Sequence, residues 1–175
     1  MTTKKRETIA KLIIFIFFSL LVVFFSLAEF IYGYDSIAET IGLSGIPVIL
    51  SMIAGGPIIG VLTSFVWSLM SLVLSGNSEG LLQIVVSSRI LFVLAMWFSY
   101  KSIKLKTRKR KYNLYLAILI GIASKVTHLY IYKSLIAGID IPLYQHPLII
   151  VIVQSIIYVF SVNWIFRLAK QYIGK

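Results

Sequence analysis

Cysteine is missing from the sequence altogether, which excludes disulfides, thiolate metal sites and cysteine nucleophiles. Histidine occurs only at His128 and His146, and acidic residues number six, Glu7, Glu29, Asp35, Glu39, Glu79 and Asp140. No Gly-rich phosphate loop ending in Lys-Ser or Lys-Thr, no His-Glu-x-x-His, no Gly-x-Ser-x-Gly and no carboxylate pair inside an apolar run is present. No enzyme, metal site or cofactor is expected from such a set. An intramembrane acid of the kind proton-coupled transporters carry is also scarce, Glu29 near the end of the first apolar run being the sole candidate.

What the chain does contain is apolar surface. A sequence of 175 residues that is 59% hydrophobic and 13% charged cannot hide all of that surface in a soluble core, so the class is integral membrane protein. The net charge of +11 does not point to nucleic acid, because most Lys and Arg lie in short segments between apolar runs.

Residues 43–76 hold two uncharged apolar segments separated by Gly55, Gly56 and Pro57, which stop one helix and let another begin. This predicts a tight helical hairpin that acts as a scaffold. Six spans in all are expected, at about residues 12–33, 37–54, 57–75, 81–100, 114–138 and 148–168, forming a single all-α membrane domain over 1–175. The second is short unless 37–41 extends it. Ser26, Leu27 and Ala28 ahead of Glu29 also fit a signal-peptide cleavage site, but a retained first span is the preferred reading. With both termini cytoplasmic, the basic start, the run from Lys101 to Lys111 and the basic tail all fall inside, as the positive-inside rule requires. The Lys101 to Lys111 run then reads as a cytoplasmic anchor at the lipid surface rather than an RNA or lipid-specific site.

Candidate ligand-binding residues gather in spans four to six. Arg89 lies twelve residues before Lys101 and Lys125 twelve after Asn113, so at helical rise both sit about 18 Å from the cytoplasmic helix ends. Two cations at that depth cost several kcal/mol unless they face water, an acid or an anionic ligand, and no acid is expected at that depth; snorkelling or solvation by carbonyls is the alternative. Gly121, Lys125, His128 and Tyr132 recur on one helical stripe; Gln154, Ser155, Tyr158 and Ser161 form another; span four adds Gln83, Ser87 and Ser88. By contrast, Ser51, Thr63, Ser64, Ser68 and Ser71 in spans two and three read as helix-packing residues. His128 alone reads as a packed histidine rather than a ligand.

The run Ile46-Pro47-Val48-Ile49-Leu50, followed by Gly56-Pro57, Gly60 and Ser75-Gly76-Asn77-Ser78-Glu79-Gly80, resembles the substrate-binding S components of energy-coupling factor (ECF) vitamin transporters, nearest their riboflavin-type branch. The hairpin is also similar to the membrane sensor region of LytS-like histidine kinases, for which an output kinase would be a separate protein, and a structural or immunity-type membrane protein is a third reading. The ECF resemblance implies capture of a vitamin-like solute in a bacterial plasma membrane. It implies a lid over 32–42 containing Tyr34 and Asp35, and docking on a transmembrane T component with two ATPases. Many members carry an Ala-x-x-x-Ala pair in the first span; here Ser19, Ser26 and Ala28 stand without that spacing. For the ligand, Arg89, Lys125 and Lys133 suit a carboxylate such as pantothenate, nicotinate, biotin or lipoate, whereas the riboflavin-type likeness suggests a flat ring stacked on Tyr132 or Tyr158. The anionic or polar vitamin is preferred.

Overall fold

The structure, a computed structural model, describes residues 3–31, 42–75, 82–106, 110–136 and 146–173. It is all-helical, with no strand among the described residues. The helices are α1 (Thr3–Ile31), α2 (Gly45–Gly55), α3 (Pro57–Ser75), α4 (Leu82–Lys106), α5 (Arg110–Tyr130) and α6 (Pro147–Ile173); α5 runs on into a π-helical turn at Ile131–Ile136. Val and Ile dominate several of these segments although their helix propensity in water is modest. Away from water, intrahelical hydrogen bonding is the one local way to satisfy the backbone, and that requirement outweighs propensity.

Among the described residues, four segments are long and apolar enough to cross a membrane: Lys5–Ile31, Pro57–Leu74, Gln83–Ile103 and Pro147–Leu168. α5 has 21 residues but includes Lys125, His128 and a basic start, and is not one of the four. The 11 residues of α2 rise only about 16 Å, half of a hydrocarbon core. The expected extension of this helix does not pass through Gly42–Ser44, which form a turn with Gly42 at φ 61°; residues 37–41 lie outside the described residues. α1, α4 and α6 are longer than their expected spans and carry basic residues onto helical ends.

The hairpin forms as its sequence dictates. Gly56 sits at φ 89° and ψ 179°, a region open in practice only to glycine, and its N–H closes α2 by donating to the Met52 carbonyl at 2.9 Å. Pro57 then occupies the first position of α3, where its missing N–H costs nothing.

α2 is the short central post of the bundle. It packs against α1 and α3 and also touches α4 and α6, while α3 packs on α1 and α4, α4 on α5, and α5 on α6. Val48, Ile49 and Met52 of α2 meet Phe92, Val93 and Met96 of α4, with Ile118 and Ile122 of α5 and Val162 of α6, in one continuous core. The outside is no less apolar. Phe17, Leu20, Phe24, Val73, Phe98, Leu148 and Phe160 are all exposed, and only 6% of the α1 span is buried against 39% of the α3 span. An exterior this apolar on four long helices is that of a membrane-embedded protein.

Candidate functional site

The polar groups of α2 and α3 divide into two sets. Ser51, Thr63, Ser64 and Ser68 turn their hydroxyls onto carbonyls three or four residues back, at 2.8 to 2.9 Å, and so satisfy themselves within their own helices. Ser71 does otherwise: its Oγ accepts from the Arg89 guanidinium at 2.6 Å, and a second nitrogen of Arg89 donates to the Trp67 carbonyl. The Arg89 Cζ lies 4.1 Å from the centroid of the Trp67 ring, and Lys125 Nζ lies 5.1 Å from the same ring and 6.0 Å from that of Phe92. Two cations from α4 and α5 therefore converge on one indole of α3. Away from bulk water each such contact is worth about 2 kcal/mol, more than at an exposed site.

Lys125 also donates to Gln154 Oε1 of α6 at 2.8 Å, with both side chains buried. One turn further along α6, Tyr158 is fully buried; its hydroxyl donates to the Gly42 carbonyl, in the turn that leads into α2. Gly45 permits this approach, because a Cβ there would lie 2.6 Å from Tyr158 Cζ. Glu29, near the end of α1, is buried as well. Its Oε1 accepts the Ser44 backbone N–H at 3.0 Å and its Oε2 the Ser44 hydroxyl at 2.8 Å, while Ser26 Oγ stands 3.0 Å from Ser44 Oγ. A carboxylate reaching from α1 thus caps the start of α2, where the helix dipole favours negative charge.

All these groups belong to one end of the bundle. Glu29 is two residues from the end of α1, Ser44 directly precedes α2, and Ser71 is four residues from the end of α3. Arg89 and Gln154 each follow the first residue of their helix by seven, about 10 Å at helical rise. The result is a largely buried polar cluster, built from five helices and the turn ahead of α2 around an aromatic centre.

Of the residues expected from sequence, Arg89, Lys125, Gln154 and Tyr158 come together here. Ser87 and His128 pair with each other at 3.0 Å on a more exposed part of the α4–α5 contact. Gln83 is exposed and Tyr132 lies on the π turn beyond α5. Tyr34 and Asp35 lie outside the described residues. Glu29, expected near the outer end of the first span, stands two residues from the end of α1 and is buried against Ser44. One reading needs correction: the hairpin is more than a scaffold, since its Trp67, Ser71 and Ser44 all take part in the cluster. Ser26 and Glu29, three residues apart and hence on one face of α1, were a legible signal for the contact with Ser44; a tryptophan in an apolar helix gave none for the contact with Arg89 and Lys125. Among the described residues no three His, Asp or Glu side chains are grouped as metal ligands would be.

Compared with family models, curated proteins and solved structures, the chain matches none of them.

Proposed function

We propose that the chain is the solute-capturing membrane subunit of an uptake system of the ECF type, an S component, with six spans and both termini on the cytoplasmic side of a bacterial plasma membrane. In this reading the subunit takes up a small anionic or polar vitamin-like molecule from outside, and ATP hydrolysis belongs to partner ATPases docked through a T component. One observation carries it: Arg89 and Lys125, from different helices, share the Trp67 ring within a buried polar cluster at one end of a membrane-embedded bundle. Holding a buried Lys125 beside a half-buried Arg89 in this way is costly for a protein that needs only to hold its helices together, since apolar packing would serve as well. A carboxylate could exchange for the present partners of both, Ser71 on one side and Gln154 on the other, with charge-assisted bonds replacing neutral acceptors.

The test is purification of the full chain in detergent, mass spectrometry of small molecules that come with it, thermal-shift binding against a vitamin panel, and co-expression with the T component and ATPases of the same host. The proposal expects one ligand to raise the melting temperature and the three partners to co-purify. No ligand and no association would sink it.

A further inference from the structure

Charge divides the molecule by ends. α1 and α5 begin, and α4 and α6 finish, at the end of the bundle opposite the Arg89–Lys125 cluster. All seventeen Lys and Arg of the chain except Arg89, Lys125 and Lys133 lie in or beside those four helix ends. Of the six acids in the whole sequence only Glu7 is among them, and it pairs with Lys11 at 2.8 Å. Glu29 belongs to the cluster, and Asp35, Glu39, Glu79 and Asp140 fall in the stretches that join helices at the cluster end.

The cations of the basic end stand at the rim of an apolar belt. On α6, Phe160, Trp164 and Arg167 follow one another at i, i+4 and i+7, all three exposed on one stripe. On α4, Phe98 and Lys101 repeat the pattern at i and i+3, and on α1 Ile9 and Arg6 have the same spacing from the helix start. Each stripe offers an apolar or aromatic side chain towards the middle of the helix and a cation towards its end. That is the order of a phospholipid, chains inward and phosphate outward, with the indole at the boundary between them. A nucleic acid or an acidic protein would meet the charges but leave the adjoining aromatic surface uncovered. Any lipid would cover that surface, and the cations select an acidic one.

We infer that this end of the bundle is a binding collar for acidic phospholipids, with Trp164–Arg167 of α6 and Phe98–Lys101 of α4 as two of its headgroup sites. The collar does more than orient the chain at insertion: it retains acidic lipid around the finished protein. It stands independently of the solute-capture reading.

The experiment places the full chain in phosphatidylcholine nanodiscs and adds phosphatidylglycerol or phosphatidylcholine with identical brominated chains. Quenching of Trp164 is read in a Trp97→Phe background. Trp164 is 57% exposed, whereas Trp67 is 4% exposed and supplies an unquenched background. Brominated phosphatidylglycerol is expected to quench at about fivefold lower concentration than brominated phosphatidylcholine, as one surface cation per headgroup predicts, and the ratio falls towards one at high salt. Arg167→Gln removes the preference at Trp164 and Arg167→Lys keeps it. Native mass spectrometry of the unsubstituted chain, exchanged into an equal mixture of the two lipids, shows the acidic one retained and decides alone should the Trp97→Phe protein not fold. Equal quenching or equal retention at low salt, a preference that persists in Arg167→Gln, or one that high salt leaves intact overturns the inference. Displacement of the lipid by soluble glycerol phosphate would reassign the end to free phosphate, and an RNA oligonucleotide that displaces it would reassign the end to nucleic acid; either result overturns the collar. A failure to bind any vitamin or T component leaves all of these readings unchanged.

Discussion

Replacing Gly45 by alanine tests the joint between α2 and α6 more sharply than any change to a charged residue. The added Cβ would overlap the Tyr158 hydroxyl and stand 2.6 Å from Cζ and 3.0 Å from Cε2, all inside van der Waals contact. Tyr158 cannot swing aside, because it is fully buried, packs beside Phe92 at 6.3 Å between ring centroids, and is tied by its hydroxyl to the Gly42 carbonyl. Overpacking of this kind costs about 1–3 kcal/mol, and losing the Tyr158 hydrogen bond adds about 1 kcal/mol. A total of about 2–4 kcal/mol corresponds to a fall of roughly 5–15 °C in melting temperature for a chain of this size. The assay is thermal unfolding in detergent of Gly45→Ala, Tyr158→Phe and the double variant. Tyr158→Phe removes the hydroxyl that Cβ strikes first, so the double variant should be more stable than the sum of the two single effects by about 1 kcal/mol or more. A Gly45→Ala protein that melts within a degree of the unsubstituted chain, or a strictly additive double variant, would refute the close approach of α2 and α6.

Four further outcomes follow from the same contacts. Lys125→Met removes the charged donor to the buried Gln154 Oε1 and destabilises the protein by about 1–3 kcal/mol; Lys125→Met with Gln154→Leu recovers part of that in thermal unfolding yet still fails to bind anions, which separates the fold from the site. Ser44→Ala removes one of the two donors to Glu29 and its contact with Ser26, and should cost about 1 kcal/mol in the same assay, less than Glu29→Ala, which also takes the acceptor from the Ser44 backbone N–H. Trp67→Leu removes the ring shared by Arg89 and Lys125 and should weaken binding of an anionic probe at least tenfold in a fluorescence-independent measurement such as calorimetry. Ser87→Ala, at an exposed pair, should change the melting temperature by no more than about 0.5 kcal/mol's worth and leave probe binding intact.

Arg89 and Lys125 were legible as a pair because a charge stands out in an apolar run, and helical rise alone places both at similar depth. Gln154 and Tyr158 were legible on their stripe for the same reason. Ser87 and His128 share that periodicity but turn to each other across the α4–α5 contact, and a stripe in sequence does not say which of its members faces the centre. Trp67 was hidden because an aromatic among Val, Leu and Phe looks like any other apolar residue until a cation is seen above it.

By itself, then, the sequence determined the membrane class, the helical class, the Gly56–Pro57 break and the small set of polar residues that the interior has to accommodate. Those follow from local physics: an apolar run must satisfy its own backbone, and a glycine followed by proline ends one helix and starts another. Only the tertiary structure decided that α2 is a short central post, that Glu29 of α1 caps it, and that Arg89 and Lys125 meet over an indole from the uncharged hairpin. Each of these is a contact between residues at least fifteen positions apart, fixed by how six helices pack and not by any neighbour in the chain.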